Sequence, residues 1–247
     1  MKKNHKITIE YDGTSFYGWQ KQKDQITIQG EIEAALSRIL NQDIAVCGSG
    51  RTDAGVHALG QVASFHADTT LLPQTLKKNF NSFIKLPIVI KDCHIVSTEF
   101  HARFSAVSKE YYYFIFNSFD PCAINRQYQW HIRQELDLQV MNDCCRAITG
   151  TFDFKSFENS GSPRDSTIRQ IYACQITKID HQRLVFKICG NGFLKYMVRN
   201  LIGTIVNAGL HKITVQDFVF ILQQKDRKKA GVTAPPHGLF LNRVNYM

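Results

Sequence analysis

The alternation of apolar and polar positions predicts strands in both halves of the chain. Residues 7–11 alternate in this way, and so do several later stretches, some of which are rich in β-branched and aromatic side chains. A proline at position 87 marks the turn into one of them. The further predicted strands are residues 62–65, 88–96, 111–116, 168–176, 184–188 and 239–246.

Apolar residues at helical spacing predict four helices. Thr27 and Asp137 are placed to cap two of them, Thr214 opens a third, and Gly150 is a natural stop for the Asp137 helix. The broadest apolar face belongs to the helix predicted from Phe193 to Ala208. The helical stretches are residues 28–40, 138–148, 193–208 and 214–222.

The order of these elements indicates the fold class. Strands and helices are mixed without a steady β-α-β-α alternation, which favours an α+β protein with a largely antiparallel sheet. We expect two α/β halves, residues 1–103 and residues 104–247, joined near residues 100–106. No low-complexity linker separates them, so we expect one shared sheet or tight packing.

The charge balance changes the picture of the surface. Thirty Lys and Arg against 21 Asp and Glu give a net charge of +9, which favours a polyanionic partner such as nucleic acid or anionic lipid. A basic but inert surface is the alternative. No stretch approaches the roughly 18 consecutive apolar residues that a membrane span requires, and no amphipathic basic helix supports a membrane-surface protein. We therefore expect a cytoplasmic protein.

The sequence predicts neither a metal site nor a cofactor site. The seven cysteines are scattered and show no C-x-x-C spacing. Cys144 and Cys145 are adjacent in a helical pattern, which is typical of reduced, partly buried thiols. A dinucleotide fingerprint and a phosphate loop are also absent from the sequence.

The segment with the most evident chemistry is Gly48-Ser49-Gly50-Arg51-Thr52-Asp53-Ala54-Gly55-Val56-His57. It is a glycine-punctuated stretch that presents an arginine and a carboxylate two residues apart. Glycines permit backbone conformations that other residues resist, and a nearby guanidinium favours the ionised carboxylate. A surface turn stabilised by one ion pair is the alternative interpretation, because short motifs of this kind are weak evidence alone.

The same segment, followed by Gly60-Gln61-Val62, closely resembles the signature of the TruA family of tRNA pseudouridine synthases. Four further stretches resemble the family's motifs in the right order, so the resemblance runs almost from end to end. They are Tyr11-Asp12-Gly13-Thr14-Ser15-Phe16-Tyr17-Gly18-Trp19-Gln20, Phe100-His101-Ala102-Arg103-Phe104-Ser105-Ala106 leading to Tyr111, Gly192-Phe193-Leu194 with Met197-Val198-Arg199-Asn200 and Gly203, and Ala234-Pro235-Pro236-His237-Gly238-Leu239-Phe240-Leu241.

The resemblance implies a fold, a reaction and a substrate. The fold is two ferredoxin-like α/β halves that share a largely antiparallel sheet, the catalytic core of pseudouridine synthases. The reaction is the isomerisation of uridine to pseudouridine at positions 38, 39 and 40 of the tRNA anticodon stem-loop. The resemblance also implies a homodimer, with tRNA as the partner and no cofactor.

The resemblance also implies roles for residues that match the family's motifs. Asp53 matches the catalytic aspartate, and Tyr111 matches the tyrosine that stacks on the target base. Arg51 and Arg199 match pocket arginines, and Arg199 is expected to pair with the aspartate. Apolar lining would come from Leu239 or Leu241; the motif leaves open which of them.

These residue types suit the reaction. The enzyme must break the bond from C1′ to N1, turn the base and rejoin it through C5, with nothing oxidised and no group added. A carboxylate serves either as a nucleophile on the nucleotide or as a base that removes a sugar proton, and both roles require Asp53 to be ionised. The target base must leave the helical stack, and Tyr111 offers a stacking face. The alternative for Tyr111 is a core aromatic of its strand.

Basic side chains are candidates for contacts with the tRNA backbone, although a plain solvated charge is the alternative for each. His57 and His101 are interpreted as hydrogen-bonded structural residues and Trp19 as packing. The candidates are Arg103, Lys109, Arg164, Arg169, Lys225, Arg227, Lys228 and Lys229.

One departure from the family pattern bears on RNA binding. Family members often carry two arginines just before the active-site tyrosine, where this chain has Lys109-Glu110. Glu110 removes a positive charge where RNA should pass, which bears on local affinity and substrate range. Independently of this departure, two rival hypotheses stay open beside a synthase of the anticodon stem-loop. One is a noncatalytic tRNA-binding protein or RNA chaperone on the same fold, and the other is a synthase with a shifted RNA target.

Overall fold

The computed structural model describes residues 2–159, 161 and 165–247. Its strands are β1 (Lys3–Tyr11), β2 (Cys47–Gly48), β3 (His57–Ala67), β4 (Ile88–Val96), β5 (Ala106–Asn117), β6 (Trp130–Ile132), β7 (Gly150–Asp153), β8 (Ile168–Lys178), β9 (Arg183–Gly190) and β10 (Leu239–Tyr246). Its α-helices are α1 (Ile28–Leu40), α2 (Pro73–Phe83), α3 (Leu138–Ala147), α4 (Met197–Gly209) and α5 (Val215–Gln224). This composition confirms the predicted α+β class.

The chain forms two compact units. The first comprises the residues up to Val107 together with Phe240–Met247, and the second comprises Ser108–Leu239. The last strand lies in the first unit because β10 pairs in parallel with β3, placing Leu241 opposite Ala58.

In the first unit, β1 lies between β3 and β4 and is antiparallel to both. The alternation of β1 buries Ile7 and Ile9, while Thr8 between them is only half-buried. α1 contributes a buried face at helical spacing that includes Ile32 and Leu36. Burial of such aliphatic side chains contributes about 1.5–3 kcal/mol each, so this face fixes the helix on the unit.

In the second unit, β5, β9, β8 and β7 form an antiparallel series, and β6 adds to β5 in parallel. The helices α3, α4 and α5 belong to this unit, and α4 is buried over almost its whole length. Its sequence is apolar nearly all round, which is the pattern of a helix enclosed by protein. α4 is therefore the central helix of the unit's core.

The helix caps agree with the sequence. Thr27 Oγ1 accepts from Gly30 N, and Asp137 accepts from the first amides of α3. Thr214 and Asp217 form a reciprocal capping box at the start of α5. Side chains with oxygen acceptors at these positions satisfy helix amides that have no partner within the helix.

The short strands β2, β6 and β7 were not predicted, and two helices differ from the prediction. α4 begins at Met197 rather than Phe193, because Tyr196 adopts a left-handed conformation with φ of +64° that a preceding helical turn does not continue through. α2 was not predicted, because its buried face consists only of Leu76 and Phe80 among polar residues. Among the described residues, no helix has the length and apolar character needed to cross a membrane.

Candidate active site

The Asp53 loop, residues 48–55, connects β2 to the turn before β3. Its first half is held against β3: Ser49 N donates to Val62 O at 2.8 Å. The buried side chain of Gln61 accepts from Ser49 Oγ at 2.7 Å and donates through Nε2 to Gly50 O at 3.0 Å. One glutamine thus fixes two successive residues of the loop.

The middle of the loop is anchored at Thr52. Its Oγ1 lies 2.7 Å from the hydroxyl of Tyr11, in a buried hydrogen bond, and its carbonyl accepts from Trp19 N at 3.0 Å. Burial raises the pKa of Tyr11, which keeps its hydroxyl protonated. Trp19 is only 2% exposed, as expected of a packing residue. The residue directly before Asp53 is therefore fixed by both its side chain and its backbone.

Two glycines let the opening motif approach the Asp53 loop closely. A Cβ added to Gly13 would lie 2.0 Å from Val56 O, and a Cβ added to Gly18 would lie 2.7 Å from Thr52 O. Gly18 also has a φ of +84°, a conformation that side chains disfavour. The glycines at these positions are consequently required by the packing of the backbone against the loop.

Asp53 itself lies at the start of a tight turn, in which its carbonyl accepts from Val56 N at 3.1 Å. Gly55 occupies the left-handed position of this turn with a φ of +75°. Asp53 is half-buried. The backbone on both sides of the carboxylate is thus fixed by hydrogen bonds.

We predict that Tyr11→Phe lowers the free energy of unfolding by about 1–3 kcal/mol, because a buried hydrogen bond to Thr52 is lost. For a protein of this size, that corresponds to a fall in Tm of roughly 2–12 °C, measured by thermal unfolding. Tyr17→Phe is the matched control, since Tyr17 is 59% exposed. Equal melting temperatures of the two variants would contradict an anchoring role for the Tyr11 hydroxyl.

Arg51 is exposed and is bonded to Gln20 rather than to Asp53: its Nε donates to Gln20 Oε1 at 3.0 Å. The guanidinium is thus held by a residue of the stretch 11–20, outside the segment 48–57. Gln20 is oriented in turn, because its Nε2 donates to Gln29 Oε1 at 2.8 Å and Gln29 Nε2 donates to Glu33 Oε1 at 2.9 Å. This series of hydrogen bonds runs from the buried Glu33 to the surface guanidinium.

The end of the loop is followed by β3 and its parallel neighbour β10. His57 is 1% exposed, its Nδ1 lies 3.1 Å from Gly13 N, and its ring stacks on Phe240 at 4.6 Å. Leu241, one of the two candidates for apolar lining, is 1% exposed beside Ala58. His57 thus has the structural, hydrogen-bonded character expected of it.

Tyr111 lies in the second unit, in the middle of β5. It is 8% exposed and packs edge-on against Phe193, with the ring centroids 5.1 Å apart. Tyr113 follows on the same face of the strand and donates its hydroxyl to Pro235 O at 2.9 Å. This face of β5 is therefore aromatic.

Arg199 is buried in the first turn of α4. Its Nε donates to Ala234 O at 2.8 Å, and Ala234 N donates back to Arg199 O at 3.1 Å. Its guanidinium lies 4.7 Å from the ring centroid of Tyr196. Burial raises the pKa of Tyr113, whereas the positive charge of Arg199 lowers it. Arg199 therefore lies near the aromatic face of β5. Leu239, which is 5% exposed, lies five residues after Ala234 in the same sequence motif.

The predicted site residues therefore fall into two groups. Asp53, Arg51 and Leu241 belong to the first unit, and Tyr111, Arg199 and Leu239 belong to the second. The residues of the first group lie on the Asp53 loop and on β10. Those of the second group lie on β5, at the start of α4 and at the first residue of β10.

The basic candidates differ in their surroundings. All five N–H groups of Arg227 are engaged within the protein, by Asn159, Ala230, Gly231, Asn200 and Thr233. This is a structural role rather than the phosphate contact that its basic run suggested. Lys225 Nζ lies 3.0 Å from Asp153 Oδ2. Lys228, Lys229 and Arg103 are exposed, Lys109 and Arg169 are half-buried, and Arg164 lies outside the described residues.

Several residues that build this site have no role predicted from the sequence. Tyr11, Thr52 and Gln61 anchor the Asp53 loop, and Gln20 orients Arg51. Their signal was present in the opening motif and in the Gly60-Gln61-Val62 stretch, where polar residues interrupt apolar ones. In the described part of the chain, no group of three or more His, Cys, Asp or Glu side chains is placed to hold a metal ion.

Comparison with known proteins identifies the family of the chain. A family model described as tRNA pseudouridine synthase matches residues 7–105 and 144–247. The chain is 43% identical to tRNA pseudouridine synthase A of Caldicellulosiruptor saccharolyticus, over 99% of this chain and 100% of that protein. It is 40% identical to tRNA pseudouridine synthase A of Thermoanaerobacter sp. over the same shares, and 42% identical to tRNA pseudouridine synthase A 1 of Desulfotalea psychrophila, over 97% and 98%. With so much of its length matched, the chain belongs to the TruA family of tRNA pseudouridine synthases.

Proposed function

We propose that this synthase modifies uridines at positions 38, 39 and 40 of the tRNA anticodon stem-loop, with Asp53 as its catalytic carboxylate. The observation that supports a catalytic role for Asp53 is that hydrogen bonds hold the backbone of its loop in place. Gln61, Tyr11 and Trp19 hold the backbone before it, and a tight turn holds the backbone after it. A catalytic group must be held in this way, because a displacement of about 1 Å costs on the order of a hundredfold in rate.

The reaction needs a carboxylate and no added reactant. In uridine, C1′ is bonded to N1; in pseudouridine, it is bonded to C5, whose proton leaves while N1 gains one. The atoms balance without an added reactant. Asp53 acts either as the nucleophile on the nucleotide or as the base that removes a sugar proton. Both roles need the anion, so Asp53 must be ionised when the target base enters.

We assign the handling of the extruded base to the aromatic and basic residues of the second unit. Tyr111 is the stacking partner, and its ring is already fixed by Phe193. Arg199 is the pocket cation, held in place by Ala234. A side chain fixed by its neighbours loses little conformational entropy when substrate binds. Leu239 or Leu241 supplies the apolar lining.

We propose that the guanidinium of Arg51 contacts the nucleotide and does not pair with Asp53. It is exposed, and within the part of the chain that the structure describes its hydrogen bond is the one from Nε to Gln20. The two terminal nitrogens of a guanidinium match the geometry of phosphate and of base edges. Because Gln20 holds the inner side of the group, the outer side is oriented for an incoming RNA.

The tRNA backbone is proposed to meet exposed or half-buried cations on both units. We therefore predict a steep dependence of tRNA affinity on salt. With about five phosphate contacts, the dissociation constant rises roughly a hundredfold or more between 50 and 200 mM monovalent salt. Filter binding or fluorescence anisotropy over this range is the measurement, and a flat curve would contradict backbone-dominated recognition. The proposed residues with described surroundings are Arg103, Lys109, Arg169, Lys225, Lys228 and Lys229. Arg164, which lies outside the described residues, is proposed from the sequence alone.

A homodimer in the cytoplasm is also proposed. The proposal rests on family membership and on the tRNA substrate. Light scattering at micromolar protein concentration measures the mass directly, and the mass of one chain, 28.3 kDa, would overturn the dimer.

The decisive experiment is to incubate the purified protein with unmodified tRNA transcripts and no cofactor, and to map pseudouridine at nucleotide resolution. Pseudouridine at positions 38, 39 and 40 is the expected result. Modification elsewhere would indicate a synthase with a shifted target. Binding without any modification would favour the noncatalytic tRNA-binding protein, and a strict need for a cofactor would overturn the proposed chemistry.

A further inference from the structure

A loop in the first unit, held by hydrogen bonds, presents an exposed aromatic ring outside the hydrophobic core. We call residues 101–104 the Phe104 tip. Phe104 is 75% exposed. The guanidinium of Arg103 lies 5.4 Å from its ring centroid, and the ring of His101 lies 4.3 Å from it at an interplanar angle of 33°. The tip therefore combines an open aromatic face, a cation and a second ring beside it.

The backbone of the Phe104 tip is fixed by hydrogen bonds. His101 Nδ1 accepts from Arg103 N at 3.1 Å and from Phe104 N at 3.3 Å. Because Nδ1 accepts these bonds, it carries no proton in this arrangement. His101 thus orients the peptide groups of the two residues that the tip presents.

The tip is also attached to the sheet of the first unit. Ala102, at its base, is fully buried. Ala102 N donates to Ser64 Oγ at 3.2 Å, and Ala102 O accepts from the hydroxyl of Tyr246 at 2.7 Å. The exposed ring therefore stands on a rigid support, so that binding a partner costs little conformational entropy.

We propose that the Phe104 tip is a stacking site for an unpaired base of the RNA substrate, outside the pocket of the target base. The inference rests on the proposed function in one respect, namely that the substrate is tRNA. An aromatic ring stacks on any base through its π face, and an adjacent arginine contributes to the same contact and to phosphate binding. The net charge of +9 favours such a partner over an uncharged protein surface.

The position of the tip suits a second contact along the same RNA. Its His101 Nε2 lies 3.4 Å from Cys47 Sγ, in β2, the strand that leads into the Asp53 loop. Cys47 and Asp53 are separated by six residues, which span at most roughly 20 Å in extended form. A stacked strand advances about 3.4 Å per nucleotide. The further 3.4 Å to His101 and 4.3 Å to the Phe104 ring bring this limit to roughly 30 Å, so the tip is within about nine nucleotides of a base bound at Asp53.

The experiment measures the affinity of the full-length protein for unmodified tRNA transcript with Phe104 replaced by Ala, Leu and Trp. Stacking predicts that Phe104→Ala and Phe104→Leu weaken binding about five- to a hundredfold, while Phe104→Trp stays within about threefold of the parent. Phe220→Ala is the matched control, because Phe220 is also exposed, at 55%, and lies on α5. Its affinity is expected to be unchanged.

A second readout separates stacking from charge. The plot of log affinity against log salt should keep its slope in Phe104→Ala, because no phosphate contact is lost. In Arg103→Ala the slope should fall in magnitude by about one. All variants should keep the melting temperature of the parent, since the substituted side chains are exposed.

Three results would overturn the proposal. Full affinity in Phe104→Ala would remove the contact, and full affinity in Phe104→Leu would show that apolar packing rather than stacking is needed. A change in oligomeric mass of Phe104→Ala without loss of affinity would identify the tip as a contact between copies of the chain. The proposed function is tested separately: if mapping finds no pseudouridine while Phe104→Ala still weakens tRNA binding, the function fails and the stacking site stands.

Discussion

Asp53→Asn is expected to bind tRNA with a dissociation constant within about twofold of the parent while forming pseudouridine at least roughly a thousandfold more slowly. Asparagine matches the size of aspartate but carries no charge, so it is neither a nucleophile nor a base at neutral pH. A thousandfold change in rate corresponds to about 4 kcal/mol of transition-state stabilisation. The measurement is single-turnover conversion of a tRNA transcript, with affinity determined in parallel.

Two further variants make this result specific. Asp53→Glu keeps the negative charge but displaces it by one methylene, and a large loss of rate is expected there as well because the backbone of the loop is fixed on both sides. Asp43→Asn removes an exposed carboxylate from the connection between α1 and β2 and should leave the rate unchanged. Full turnover by Asp53→Asn would remove Asp53 from its assigned role.

The two possible roles of Asp53 differ in one observable. A nucleophilic role passes through a covalent bond between the protein and the RNA, whereas a role as a base does not. A protein–RNA species that survives denaturation in the parent, and is absent from Asp53→Asn, would favour the nucleophile. Its absence during turnover would favour the base.

The sequence identifies the candidate residues of the Asp53 loop but not the contacts that hold the loop. Asp53 and Arg51 stand out because glycines surround them, and motif and spacing identify them locally. The bonds that hold the loop join residues far apart in the chain, such as Tyr11 and Thr52, and no local pattern specifies such pairings. The hydrogen bond of Arg51 to Gln20 was not predictable for a related reason, because Gln20 reaches the guanidinium from another segment.

The fold shows the same division between local and long-range information. The caps at Thr27, Asp137 and Thr214 were predictable because capping depends on a few neighbouring residues. The strand over residues 239–246 was predictable from its alternation, but its parallel partner β3 was not, since pairing depends on the path of the whole chain. Likewise, the apolar run before α4 does not reveal the left-handed Tyr196 that delays the helix start.

Gly13→Ala is expected to reduce the turnover rate roughly a hundredfold, although it changes no residue of the proposed chemistry. The added Cβ would lie 2.0 Å from Val56 O, well inside van der Waals contact, and the obstructing atom belongs to the backbone. The turn that begins at Asp53 and ends at Val56 must therefore move by about 1 Å, and such a displacement costs about a hundredfold. Overpacking should also cost about 1–3 kcal/mol of unfolding free energy.

Gly192→Ala is the matched control for this prediction. Among the residues that the structure describes, its added Cβ would meet only the side chain of Arg169, at 3.7 Å or more, so the melting temperature should stay at the parental value. Comparing turnover and unfolding in the two variants separates a general effect of removing a glycine from a displacement of the Asp53 loop. If Gly13→Ala melts at a lower temperature but turns over at the parental rate well below that temperature, the contact stabilises the fold without positioning the carboxylate. If both quantities are unchanged, the backbone of Val56 yields freely, and the loop is not held from this side.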